Sequence, residues 1–91
     1  MPNKRKPRQQ LIVAVTHKDI AFGLPEHMCE CPIALALKRR YDGADIEVDY
    51  ESVRVGTRAP IPISAQMEHW MMKFDRGDAV KPTTFFLDAP A

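Results

Sequence analysis

The sequence predicts one small α+β domain in which the elements follow the order strand, helix, strand, strand, helix, strand. Four segments have the apolar pattern of a strand, either a continuous run or an alternation, and two have the period of a helix. The chain of 91 residues is 45% hydrophobic and 27% charged, which is ordinary for one globular domain. We expect this domain over residues 11–91, preceded by a tail over residues 1–10.

The first predicted elements are a buried strand and its connection. Residues 11–16, LIVAVT, form an apolar run that is typical of a central strand covered on at least one face. A glycine and a proline make residues 17–28 a connection, with one helical turn over residues 19–22. From that turn, Ile20 and Phe22 are expected to reach the core.

Pro32 marks the start of the first predicted helix. Proline is best tolerated at the first helical position, so Cys31 is expected to be the N-cap and residues 33–41 the helix body. One face carries the apolar residues Ile33, Ala34, Leu37 and Tyr41. Basic residues 38–40 fill the last turn, where they complement the helix dipole, and Gly43 suits a left-handed C-terminal cap.

A hairpin is predicted next. Residues 44–49 alternate, with Ile46 and Val48 on one face and acidic residues on the other. Residues 50–52 form the turn, and residues 53–55 alternate again. The turn lacks an Asn-Gly signal, so the pattern leaves the register of the hairpin open.

The second helix shows the clearest amphipathic pattern. After a loop over residues 56–63, Ser64 is expected to cap a helix over residues 65–76. Its apolar stripe consists of Met67, Trp70, Met71 and Phe74. Gly77 closes the helix, and residues 83–87, TTFFL, form the last strand. The resulting order matches a ferredoxin-like antiparallel sheet with both helices on one face, or a related two-layer sheet.

The small net charge of +1 conceals a basic tail. Four cations and no acid occupy residues 1–10, which leaves nine basic and twelve acidic residues in the rest of the chain. The cations of the tail are Lys4, Arg5, Lys6 and Arg8. With almost no apolar surface to bury, this tail is expected to be disordered when free.

One functional alternative is nonspecific binding of nucleic acid. Phosphates would be attracted by the tail and by a second basic cluster, Lys38, Arg39 and Arg40. The third strand, in residues 52–58, has no aromatic residue on which a ferredoxin-like sheet could stack RNA bases. The competing interpretation is a solvated tail and a helix end that is stabilised by charge.

Another alternative is a zinc or thiol site at His27, Cys29 and Cys31. These are zinc-binding residue types, with His17 or Asp19 as a fourth ligand, but structural zinc sites usually use two separated pairs. As a thiol, Cys31 would have a lowered pKa at the positive end of the helix. The competing interpretation is that Cys31 only caps the helix and that Cys29 is half-buried.

A row of acidic residues is a further candidate for a cation site or a basic partner, and it is otherwise a solvated strand face. It consists of Asp42, Asp45, Glu47, Asp49 and Glu51. The chain has no glycine-rich phosphate loop, no HExxH and no GxSxG, so we expect no enzyme activity and no cofactor. The apolar runs are too short for a membrane span, and no secretory signal is recognisable, which predicts a cytoplasmic protein.

Two segments, CPIALALKR and FDRGDAVKPTTFFL, carry a resemblance. With them, residues 11–88 resemble small uncharacterised proteins common in bacteriophage and bacterial genomes. The matching residues are Cys31, Pro32, Ile33, Ala34, Ala36, Phe74, Asp75, Gly77, Val80, Pro82 and Phe85. The group often has a cysteine where this chain has Met28, and the resemblance implies no activity.

The leading hypothesis is therefore a small non-enzymatic accessory protein of phage type. It would bind a host protein or nucleic acid, with the tail ordering on the partner, and would not associate with membranes. Alternatively it would self-associate, because a second copy would cover exposed apolar residues on the sheet.

Overall fold

A computed structural model describes residues 10–42 and 44–88. The helices are α1 (His17–Phe22), α2 (Pro32–Arg40) and α3 (Ala65–Asp75). The strands are β1 (Gln10–Val15), β2 (Ile46–Val48), β3 (Ser52–Val55), β4 (Ile61–Pro62) and β5 (Thr83–Asp88). The predicted helix cap at Gly43 and residues 1–9 of the basic tail lie outside the described residues, whereas Gln10 belongs to β1.

The predicted α+β class is confirmed, and every described strand pairing is antiparallel. β1 pairs with β5, whereas β3 pairs with β2 on one side and with β4 on the other. The described strands therefore do not show the ferredoxin-like order, in which the first strand would lie beside β3. The reason is β4, which occupies that edge of β3 through the pairs Ser52 with Pro62 and Val53 with Ile61.

Strand β1 pairs with only one strand among the described residues, so its predicted central position is wrong. Two side chains from the C-terminal end of α2 cover the other edge of β1. The Tyr41 hydroxyl accepts a hydrogen bond from the Ile12 N–H at 3.3 Å, and the Arg39 guanidinium donates to the Ala14 carbonyl at 2.9 Å. These bonds satisfy edge groups that would otherwise pair with another strand.

One apolar core lies between the two sheets and the helices. The predicted inner face of α2 is confirmed: Ile33, Ala34 and Leu37 are fully buried and Tyr41 packs against them. The expectation for α1 is only half right, because Ile20 packs against the core whereas Phe22 is 72% exposed. Residues two positions apart lie on nearly opposite sides of a helix, so both could not point inward.

Candidate functional site

One of the three residues of the basic cluster predicted at the end of α2, Arg39, is bound to an acidic side chain of the protein itself. The Arg39 guanidinium donates two hydrogen bonds to the Asp19 carboxylate, at 2.6 and 2.9 Å, in addition to its bond to β1. The guanidinium carbon of Arg40 lies 6.0 Å from the centre of the Tyr41 ring, and Lys38 is half-buried. Arg39 would have to leave a buried carboxylate to bind phosphate. The other predicted basic residues, Lys4, Arg5, Lys6 and Arg8, lie outside the described residues.

The structure does not bring His27, Cys29 and Cys31 together as metal ligands. Within residues 10–42 and 44–88, no three His, Cys, Asp or Glu side chains are placed to hold a metal ion. The His27 Nε2 atom lies 3.7 Å from a carboxylate oxygen of Glu30 instead. Cys31 is the N-cap of α2, as predicted, and its Sγ atom accepts a hydrogen bond from the Ala34 N–H at 3.4 Å.

The surroundings of Cys31 do not favour the activated thiol that the sequence left as an alternative. Burial raises the pKa of the Cys31 thiol above its ordinary value, although the N–H groups of Ala34 and Ile33 act in the opposite direction. The carboxylate of Asp75 raises this pKa further. The loss of hydration therefore outweighs the helix terminus, and the thiol stays protonated at neutral pH.

We expect the two cysteines to differ in reactivity for this reason. In the native protein, iodoacetamide should modify half-buried Cys29 on the order of tenfold faster than buried Cys31, because the thiolate is the nucleophile. Mass spectrometry of Cys29→Ser and Cys31→Ser would give the two rates separately. In urea the rates should converge, and faster modification of Cys31 in the native state would contradict the interpretation.

A cleft of about 220 Å³ lies between the α1–α2 loop, the β2–β3 turn and the end of α3, and we call it the acidic cleft. Its carboxylates are Glu26, Asp49 and Asp75. Its other lining residues are His27, Met28, Cys31, Val48, Tyr50 and Met71. The cleft is therefore largely apolar, and its acidic groups come from three separate segments of the chain.

Asp75, the last residue of α3, holds the walls of the acidic cleft together. One carboxylate oxygen accepts a hydrogen bond from the Glu26 N–H at 2.9 Å, and the other accepts one from the Tyr50 hydroxyl. This hydrogen bond raises the pKa of Tyr50 to about 12, so the phenol remains a donor at neutral pH. The backbone of Glu26 has a positive φ of 56°, which fits a position fixed by a tertiary contact.

The predicted acidic row is divided among different roles. Glu47 forms an ion pair with Arg54 across the hairpin at 3.3 Å, whereas Asp49 accepts hydrogen bonds from the Glu51 and Ser52 N–H groups, both at 2.8 Å. Sequence reasoning singled out Asp49 but missed Glu26 and Tyr50 as site residues. No local signal marks those two, because only the folded chain brings them to Asp75.

A second groove, of about 470 Å³, lies between α3 and the segment that leads into β5, and we call it the basic groove. Its titratable lining residues are His69, Lys73 and Lys81. The other lining residues are Gln66, Trp70, Ala79, Val80, Pro82, Thr83 and Phe85. The Trp70 indole N–H donates a hydrogen bond to the Lys81 carbonyl at 3.0 Å, which fixes the ring at the groove.

The two segments that carry the resemblance contribute to both sites. Cys31 and Asp75 line the acidic cleft, while Val80, Pro82 and Phe85 line the basic groove. No known protein family, curated protein or solved structure matches the chain. Among the described helices, none has the length and apolar character needed to cross a membrane.

Proposed function

We propose that the protein is a small non-enzymatic accessory protein of phage type that binds a host protein in the cytoplasm. The acidic cleft receives a basic side chain of that partner. The observation that carries the proposal is the convergence of Glu26, Asp49 and Asp75 on a cleft whose other walls are mostly apolar. A lysine or arginine presents both chemistries, since an apolar stem ends in a cation.

The size of the acidic cleft favours a side chain over a cofactor. Its volume of about 220 Å³ is below the range of roughly 300–1,000 Å³ that is usual for small-molecule sites. The methylene groups of a basic side chain would contact Met28, Val48 and Met71, which line the cleft. Its charged end would reach the carboxylates, which supply both affinity and orientation.

The rim of the acidic cleft also suits a protein partner. Met28 and Tyr50 line the cleft and are 48% and 41% exposed, respectively. Leu24, on the same connecting loop as Met28, is exposed as well. Tyrosine and methionine are enriched at protein interfaces, where their large side chains exclude water around a central contact.

Thiol catalysis is less favoured than binding at this cleft. Cys31 lies in the lining, but its pKa is raised and its Sγ atom already accepts the Ala34 N–H. The imidazole of His27 lies near Glu30 instead of forming a hydrogen bond with the thiol. A nucleophile needs a base within hydrogen-bond reach, and this arrangement does not supply one.

Selection from a library of displayed random peptides would test the proposal. We expect the selected peptides to share one basic position. Replacing that residue by norleucine should weaken binding about tenfold, and Glu26→Gln should have a similar effect because it removes one of the facing charges. Isothermal titration calorimetry would give both values.

Glu68→Gln is the matched control, because Glu68 is an exposed carboxylate of α3 that does not line the acidic cleft. The Glu68→Gln variant should bind the selected peptides with the same affinity as the wild type. Two results would contradict the proposal. The selected peptides could lack a shared basic residue, or Glu26→Gln and Glu68→Gln could lower the peptide affinity equally. Sedimentation that shows a dimer sensitive to Glu26→Gln would instead identify a second copy as the partner.

A further inference from the structure

We infer that the basic groove binds single-stranded nucleic acid, with a base against Trp70 and a phosphate beside Lys73 and Lys81. This inference does not depend on the acidic cleft, because the two sites share none of their described lining residues. Three observations carry it: the charge of the groove, its fixed aromatic ring and its size.

The charge of the basic groove has one sign. Among the described residues that line it, every titratable one is basic: His69, Lys73 and Lys81. The nearby acids Glu68, Asp75 and Asp78 do not line the groove: Asp75 lines the acidic cleft, and Asp78 accepts a hydrogen bond from Arg76 at 2.8 Å. A phosphate would therefore meet lysine ammonium groups without a facing carboxylate.

The indole of Trp70 lines the groove and is partly buried against the core. Its N–H is held by the Lys81 carbonyl, and its ring packs nearly parallel to Phe74, with the centroids 6.0 Å apart. Phe85 contacts the indole edge-on at 6.1 Å. Because the ring is held by these contacts, little side-chain entropy is lost when a base stacks on it. Aromatic rings beside a cationic groove are the usual recognition elements for single strands.

The size of the groove fits a nucleotide. Its volume of about 470 Å³ lies within the range of roughly 300–1,000 Å³ of small-molecule sites. A base in a duplex is not available to stack on a side chain, so an unpaired strand is the ligand that matches the indole. The basic groove is therefore preferred to residues 38–40 as the site that contacts nucleic acid, since Arg39 is engaged with Asp19.

The fluorescence of Trp70 offers a direct test, because the chain contains one tryptophan. We expect a 12-residue oligothymidylate to quench this fluorescence saturably in the full-length protein. Heparin, a polyanion without bases, should not quench it, and thymidine monophosphate should bind far more weakly than the oligonucleotide. With two or three phosphate contacts, affinity should fall roughly tenfold between 50 and 200 mM salt.

Substitutions can distinguish the contribution of the basic groove to oligonucleotide affinity from that of the other basic segments. Lys73→Gln with Lys81→Gln should weaken binding about tenfold, measured by the anisotropy of a labelled oligonucleotide, since both substitutions lie on the surface of the groove. Trp70→Phe should weaken binding while the circular dichroism spectrum stays unchanged. Lys38→Gln with Arg40→Gln is the matched control and should bind like the wild type.

The tail is tested separately, by replacing Lys4, Arg5, Lys6 and Arg8 with glutamine in the full chain. The oligonucleotide should still quench Trp70 in this variant. Binding that disappears with the tail alone, quenching by heparin equal to that by oligothymidylate, or no effect of the paired groove lysines would overturn the inference. Glu26→Gln should leave the oligonucleotide affinity unchanged, which keeps this result distinct from the proposed function.

Discussion

Asp19→Ala is expected to lower the free energy of unfolding by about 3 kcal/mol. The carboxylate is 4% exposed and accepts hydrogen bonds from the Arg39 guanidinium and from the Thr16 N–H at 2.9 Å. Its loss would leave the N-terminus of α1 without its capping box and would release the guanidinium from between α1 and β1. One substitution would therefore weaken the contact of α1, α2 and β1 with one another.

Urea unfolding followed by circular dichroism would measure this loss. Glu47→Ala is the matched control, because it breaks the exposed ion pair with Arg54 and should cost less than about 1 kcal/mol. Asp19→Asn keeps the shape of the side chain but removes the charge, so its stability should lie between wild type and Asp19→Ala. Equal costs for Asp19→Ala and Glu47→Ala would show that the buried pair is not a major support of the fold.

The same carboxylate should make stability depend on acid pH. Burial raises the pKa of Asp19, but the hydrogen bonds from Arg39 and Thr16 outweigh burial and hold the pKa below its ordinary value. The ionised form is therefore favoured by folding, and its contribution is complete above the ordinary carboxyl pKa. It is lost as pH falls through the lowered pKa. The free energy of unfolding should therefore fall less with decreasing pH in Asp19→Asn than in the wild type. Urea unfolding of both proteins at a series of pH values would measure the difference.

Gly23→Ala is expected to cost about 2 kcal/mol because a methyl group at this position has no space. An added Cβ atom would lie 2.6 Å from the ring carbons Cγ and Cδ and the backbone nitrogen of Pro32. Pro32 is fully buried and begins α2, so it cannot move without shifting that helix. The backbone of Gly23 is extended, with φ of −70°, so the cost is steric and not conformational.

Gly56→Ala provides the matched comparison for thermal or urea unfolding. Gly56 has a φ of +61° and nothing within 4 Å of an added Cβ atom, so its cost is the backbone strain of about 1 kcal/mol. We expect Gly23→Ala to be the more destabilising substitution. Pro32→Ala should recover part of the loss in the double variant, because it removes the two ring carbons. A cost for Gly23→Ala at or below that for Gly56→Ala would refute the steric explanation.

Much of the local structure could be predicted from short stretches of sequence. Pro32 predicted the start of α2, Ser64 predicted the start of α3, and the alternation over residues 44–49 predicted β2. Strand β4 was missed because its flanking and internal prolines are unfavourable in a strand. It forms nevertheless, since Ile61 is fully buried and pairs with Val53.

The candidate sites were much harder to predict than the elements. Glu26 lies in a loop, Tyr50 in a turn and Asp75 at a helix end, and none has a local pattern that predicts their contact. Trp70 packs against the core, as its place in the apolar stripe predicts, but nothing local indicated that its indole N–H would reach the Lys81 carbonyl beside a groove. Sequence reasoning about His27, Cys29 and Cys31 considered residue type and spacing, which do not determine where side chains point.

The sequence by itself determined the α+β class, the starts of α2 and α3 and the buried face of α2, because these depend on capping residues and on apolar periodicity within a few residues. Only the tertiary structure decided that β4 takes the edge of β3, that Arg39 is bound to Asp19 and that Cys31 has a raised pKa. Each of these depends on burial or on a partner distant along the chain. The difference is physical, since local hydrogen bonds and side-chain period are encoded nearby, whereas desolvation and charge pairing arise when separate segments pack together.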